Sequence, residues 1–201
     1  QPLPEVPIYR AIIYIPSVIP LFTLTFVYQN LVHPTQGVFN RFLIWLGLPN
    51  INWFGDPRYA KLALVLLAQY GAGQVAVIFL AGLKGIPSPL YEAAALDGAN
   101  AWRRFWGITL PLMTPVILYD IILGVSLGLQ IFTQVYIISG DPPGGPANST
   151  LMYVVYLYNN AFRFGAMGYA AALAWILFVV TLILSLLIFR SSRWWVHYET
   201  T

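Results

Sequence analysis

This sequence predicts an all-α, polytopic helical membrane protein with four spans, on three observations. Hydrophobic residues fill 59% of the 201 positions, charged residues only 8%, and the mean hydropathy is +0.71, whereas an ordinary soluble domain carries roughly 25% charged residues. The apolar residues gather in four stretches of about 20 or more, close to the length that crosses roughly 30 Å of hydrocarbon. Charged and turn-forming residues fall mainly between those stretches.

The first span is expected over residues 8–28. Pro16 and Pro20 fall inside it and should kink the helix, because each removes a backbone donor. Next comes a polar, turn-rich segment in which Val38, Phe39, Phe42, Leu43, Trp45 and Leu46 recur near helical spacing. That pattern suits a helix lying at the membrane interface, with a packed loop as the alternative. The second span is expected over 59–83, the third over 115–138 and the fourth over 169–189. Between the last two, residues 139–145 are rich in Gly, Pro and Asp and predict a turn.

Orientation follows from the basic residues. Placing the 84–106 loop in the cytoplasm puts Arg10, Lys84, Arg103, Arg104, Arg190 and Arg193 inside and leaves Arg41, Arg58, Lys61 and Arg163 outside, a modest excess in the sense of the positive-inside rule. Tyr9, Tyr28, Tyr59, Tyr136, Tyr169, Trp194 and Trp195 fall near span ends, where aromatic anchors are enriched.

Composition also excludes several chemistries. With no cysteine there is no disulfide or thiolate metal site, and the isolated His33 and His197 have no ligand spacing, so no metal site is expected. Ten Lys and Arg against seven Asp and Glu leave +3, dispersed among the loops rather than gathered into a nucleic-acid surface. The chain begins at Gln1 and has no signal-peptide pattern, as expected of a piece of a longer protein.

The most informative loop runs from Ile86 to Pro111, and its local signals predict two short helices. Ser88 is a candidate N-cap, Pro89 suits the first turn, and Glu92 opposes the positive helix end. Gly98 should close the first helix in a left-handed conformation, and Asn100 should cap the second. Ala93, Ala94, Ala95 and Ala99 leave a low-relief surface that another protein can approach closely.

Glu92-Ala93-Ala94, three residues, Gly98, nine residues, Ile108, one residue, and Leu110-Pro111 reproduce a pattern found between two spans of a known family. The chain resembles the permease subunits of binding-protein-dependent ABC importers. The likeness extends to Phe79–Leu83, Ile86-Pro87, Gly144-Gly145-Pro146, Ala161-Phe162 and Gly168–Ala172, which look like the sugar and glycerol-phosphate branch and its larger maltose-type permease subunit. The resemblance implies a single transmembrane domain over 1–201 whose four spans correspond to the last four of six, lacking the first two. It also implies that residues 84–111 form the cytoplasmic coupling loop, with Glu92, Ala93, Ala94, Asp97, Gly98 and Ala99 docking on an ATPase. Implied partners are a cytoplasmic ABC ATPase dimer, a second permease subunit, an extracytoplasmic solute-binding protein and the lipid bilayer, in a bacterial inner membrane. ATP and Mg would sit on the ATPase. No cofactor, catalytic residue or nucleic-acid partner is expected here, and no phosphate-binding Gly-rich loop with Lys-Ser/Thr occurs.

Within the spans, Ser126, Gln130, Thr133 and Gln134 would share one side of a continuous helix. Polar groups facing lipid are costly, so this side should line the solute path or join helices. Tyr70 and Gln74, four apart, form a weaker pair. Asp120, the one acidic residue in an expected span, suits an ion-pair partner or a protonated state better than solute contact. Gly124 and Gly128 would permit close helix packing, and Asn148-Ser149-Thr150 is read as loop. The competing class is an ion-coupled secondary transporter using Asp120, but no internal repeat supports it. A membrane enzyme would need an acid-base or nucleophilic constellation that no span presents.

Overall fold

The computed structural model describes residues 6–140 and 143–197, with side chains from residue 9 onward. The described residues form helices and connecting turns without strands. They divide into two compact units. The first takes the described residues up to Gly73 with Gly128–Phe178, and the second takes Gln74–Leu127 with the described residues from Val179 onward.

In the first unit, α1 (Val6–Val18) and α2 (Leu21–Leu31) replace the single kinked span expected over 8–28. Pro16 is accommodated inside α1, but at Pro20 the chain turns through 106°. Pro20 has no N–H to continue the ladder, and its carbonyl instead accepts from Leu24 N at 3.0 Å to start α2. α3 (Val38–Trp45) is the helix expected from apolar spacing; Val38, Phe39, Phe42 and Trp45 are exposed along it. Its single buried residue, Asn40, donates from Nδ2 to the carbonyls of Val32, His33 and Ile51 and accepts from Ile51 N. That side chain ties two loops to one helix.

Asp56 caps α4 (Pro57–Ala68) by accepting from Arg58 N at 2.9 Å, with Pro57 in the first turn. A 3₁₀ turn, Gln69–Gly71, joins α4 to α5 (Ala72–Gly85). Gly73 lies against α1 so closely that a Cβ there would strike the Ile13 carbonyl. The core of this unit gathers Leu24, Tyr28, Val32, Trp53, Ala63 and Leu67, beside a second group of Leu64, Val135 and Val155.

The second unit holds the hairpin of α6 (Ser88–Leu96) and α7 (Ala101–Arg104), the π turn Phe105–Thr109, and most of α8 (Leu110–Leu129). A Cβ on Gly82 would meet Val116 and Met113 at 2.8–3.0 Å, so α5 and α8 pack closely there. His197 N donates to Thr114 Oγ1 at 2.9 Å, returning the end of the described chain to α8. Among the described residues nothing lies within 4 Å of a Cβ placed on Gly124 or Gly128.

The expected continuous third span is interrupted. α8 ends at Leu129 and α9 (Thr133–Ser139) begins after Phe132, whose φ/ψ of −135°/−61° is not helical. α10 (Tyr153–Tyr158), the π turn Asn159–Arg163 and α11 (Met167–Ser191) complete the chain. At 25 residues, α11 is about 37 Å long, enough to cross a bilayer. Among the described residues three helical stretches are long and apolar enough to span, Pro57–Gly85, Ala101–Ser139 and Met167–Trp194, or four if the bent pair α1 and α2 is one span. Only 6% of the apolar window in each of the last two is buried within the chain. Lipid or further protein must therefore cover them, since apolar area on this scale is not left in water.

Candidate functional site

The hairpin at the α6–α7 junction is built from local signals. Asp97 is the C-cap of α6, and Gly98 follows with φ +75°. Ala99 N donates to Ala94 O at 2.9 Å and Gly98 N to Ala95 O at 3.1 Å. This is the paired hydrogen-bond closure that a left-handed residue after a helix permits. Asn100 then caps α7, its Oδ1 accepting from Arg103 N at 2.8 Å. The start of α6 differs from expectation: Pro87 is its N-cap and Ser88 already lies within the helix. The Pro87 carbonyl accepts from Leu90 N at 3.3 Å, moving the helix start one residue earlier and leaving the Ser88 hydroxyl without a capping role. Glu92 consequently falls beyond the first turn.

Of the docking residues, Glu92, Ala93, Asp97 and Gly98 are exposed and Ala94 and Ala99 half-buried. Ala94, Asp97 and Ala99 line a concavity of about 270 Å³ with Arg103, Arg104, Gly107 and Ile108. Arg104 Nε is buried without a partner among the described residues. The two arms are joined by the Tyr91 hydroxyl, 2.8 Å from Thr109 Oγ1. Sequence reasoning missed the apolar tips: Leu96 is 91% exposed and Trp102 70% exposed. The signal was present, since Leu96 stands four residues after Glu92 and so on its face of the helix.

The intramembrane candidates do not lie on one continuous helix. The break over 130–132 separates Ser126 on α8 from Thr133 and Gln134 on α9, so the regular 100° advance that aligned them does not carry through. Ser126 Oγ donates to Ile122 O within its own helix at 2.9 Å. Tyr70 sits in the 3₁₀ turn and packs on the first unit's core, with its ring 5.9 Å from Tyr28. The α-helical spacing assumed for Tyr70 and Gln74 fails at that turn. Gln74 and Gln130 are exposed, and Thr133, Gln134 and Asp120 are half-buried.

The larger cavity lies elsewhere in the first unit and measures about 840 Å³. Phe22 and Phe26 of α2, Tyr136 and Ile137 of α9, and Tyr158, Asn159 and Phe162 line it, with Gly140, Pro143 and Arg163. None of the six expected solute-path residues is in that wall, although Thr133 shares the α9 face of Tyr136 and Ile137 by helical register. Asn159 Nδ2 donates to Pro143 O at 3.3 Å while its Oδ1 is enclosed with no donor among the described residues. An unpaired buried carbonyl oxygen costs about 1–3 kcal/mol. The sequence carried hints here too: Phe22 and Phe26, and Tyr158 and Phe162, are aromatic pairs four residues apart.

The family described as binding-protein-dependent transport system inner membrane component matches residues 7–195. The probable ABC transporter permease protein YesP of Bacillus subtilis is 40% identical over 194 residues, covering 96% of this chain and 62% of YesP. The trehalose/maltose transport system permease protein MalF of Thermococcus litoralis is 33% identical over 187 residues, covering 92% of this chain and 62% of MalF. This chain thus spans about 62% of the length of these curated relatives. Its fold matches a chain in the crystal structure of a bacterial ABC transporter involved in the import of the acidic polysaccharide alginate, with a TM-score of 0.85 at 24% identity, covering 96% of this chain and 67% of that one.

Proposed function

Because this chain belongs to the binding-protein-dependent transport system inner membrane components, we propose that it is a permease subunit of an ATP-driven ABC importer. In this reading its hairpin docks on a separate cytoplasmic ATPase. The observation that carries the proposal is the α6–α7 hairpin, an exposed low-relief helix end closed at Gly98 and capped at Asn100. In this reading the hairpin passes motion to the spans on either side of it. ATP-driven closure of a partner ATPase would then shift α5 and α8, which the hairpin connects. Docking residues are Glu92, Ala93, Ala94, Asp97, Gly98 and Ala99, to which the exposure of Leu96 and Trp102 adds two apolar anchors.

The proposed solute is a carbohydrate or related compound, supported by the name of MalF and the alginate import of the structural neighbour. A second permease, an ATPase dimer and an extracytoplasmic solute-binding protein complete the proposed assembly in a bacterial inner membrane. The family description supports the binding protein, and a related structure is a bacterial alginate ABC transporter in complex with alginate pentasaccharide-bound periplasmic protein. ATP and Mg would be held by the ATPase. Ser126, Gln130, Thr133, Gln134, Tyr70 and Gln74 are kept as proposed path residues, individually rather than as one stripe. No observation favours the ion-coupled alternative.

The test is cysteine cross-linking in the complete importer. A cysteine at Ala95 should form a bond to the ATPase with a short bifunctional reagent, while one at Ala147, on the far side of α8 in the chain, should not. Absence of any Ala95→Cys adduct in a complex that still hydrolyses ATP would overturn the docking assignment.

A further inference from the structure

We propose that the 840 Å³ cavity of the first unit is a saccharide subsite that holds a pyranose ring against its aromatic wall. This inference rests on the carbohydrate reading above and adds a location for the sugar that the polar residues of the spans did not suggest. A pyranose has flat patches of C–H bonds and a rim of hydroxyls, so its receptor needs aromatic faces together with hydrogen-bonding groups at the edges. The cavity supplies both, and its volume falls within the range of small-ligand sites.

The aromatic wall comes from three parts of the chain. Phe22 and Phe26 meet at 4.9 Å between ring centres on α2. Tyr158 packs against Tyr136 at 5.4 Å and Phe162 at 4.9 Å, and Phe132 stands behind them at 5.0 Å from Tyr158. The rings are therefore braced by one another, while Phe22, Phe26, Tyr136 and Phe162 stay exposed toward whatever enters. A face meant only for acyl chains would not carry tyrosine hydroxyls, an amide and an arginine in the same wall.

Asn159 is the second and independent observation. It is 7% exposed, its Oδ1 has no donor among the described residues, and it lies in the wall. The amide adds hydrogen-bonding capacity to the aromatic wall, and rotation of the Asn159 side chain would bring Oδ1 to a sugar hydroxyl. The π turn at Asn159–Arg163 places Asn159 and Phe162 in that wall, with Phe164 N bonded back to Asn159 O at 3.0 Å; such turns recur at functional sites. Among the described lining residues Arg163 carries the only charge.

The complete importer in lipid nanodiscs would be titrated with maltose and lactose, with sorbitol as a ring-opened control. Saturation-transfer NMR reads contact and supplies the apparent Kd. Maltose or lactose should contact the protein and sorbitol should not. Phe22→Ala and Phe162→Ala, which remove exposed rings rather than core ones, should each weaken binding about three- to tenfold. Phe162→Tyr should retain it, and Trp45→Ala, which removes a 78% exposed ring on α3 outside the wall, should change nothing.

Equal contact by sorbitol, unchanged affinity in both alanine variants, or no contact by either disaccharide overturns the proposal. So does protection of a Phe162→Cys thiol from a water-soluble maleimide in sugar-free complex, which would assign the cavity to lipid or to a neighbouring subunit. ATPase retention measured on the same samples separates the two readings. If the ATPase stays bound while the cavity variants are silent, only the subsite fails. Loss of the ATPase from wild-type preparations counts against the importer assignment instead.

Discussion

Replacing Gly98 tests whether the hairpin's shape is what the ATPase recognises. Gly98 has φ +75°, and a Cβ there would meet nothing within 4 Å, so the cost of a side chain is backbone strain rather than a clash within the chain. For an ordinary L-residue that strain is roughly 1–2 kcal/mol. A β-branched residue bears it in full, whereas asparagine is among the few that visit this region readily. Gly98→Val should therefore raise the population of the opened hairpin about 5- to 30-fold, and Gly98→Asn much less although it is of similar bulk. The amides of Gly98 and Ala99, bonded to Ala95 and Ala94, report the opening by hydrogen exchange. Solute-stimulated ATP hydrolysis and ATPase co-purification report the consequence in the complete importer. The expected order of coupling is wild type, then Asn, then Val, while Trp106→Phe should stay near wild type. Native exchange and full ATPase retention in Gly98→Val would refute the reasoning. Equal loss in Val and Asn would show that bulk in the ATPase groove matters and backbone geometry does not.

Three further outcomes are expected. The chain has no cysteine, so single cysteines at Ala95 and at the exposed Ala147 should react with membrane-impermeant maleimide from opposite sides; labelling of both from outside would overturn the topology. Asn40 is 1% exposed and joins three carbonyls to the Ile51 amide, so Asn40→Ala should cost about 2–3 kcal/mol of stability, read as a lowered Tm in detergent, and an unchanged Tm would remove its bracing role. Gln130→Ala and Gln134→Ala should each reduce transport several-fold with assembly and basal ATP hydrolysis unchanged; impaired assembly with normal transport per complex would make these residues helix contacts.

The amino-acid sequence by itself determined the features that depend on a few neighbouring residues. Apolar run length announced spans over 59–83 and 169–189, which fall within the helical stretches Pro57–Gly85 and Met167–Trp194. Gly98 and Asn100 specified the hairpin, because a left-handed closure and an N-cap need only the residues within a turn of them. Amphipathic spacing found α3. Even locally there was competition: Pro87 rather than Ser88 begins α6, since a carbonyl one residue earlier could close the first turn. Tertiary structure decided what sequence spacing could not. Pro20 announced a disturbance but not a 106° turn, because a missing N–H frees the backbone without saying where packing will send it. The break over 130–132 contains no proline or glycine, so nothing local marked it, and Tyr70 entered the core on account of Tyr28, forty-two positions away in the chain. The aromatic cavity joins Phe22 to Phe162. Such rings meet only when helices from distant parts of the sequence pack, and the free energy that brings them together belongs to the whole unit.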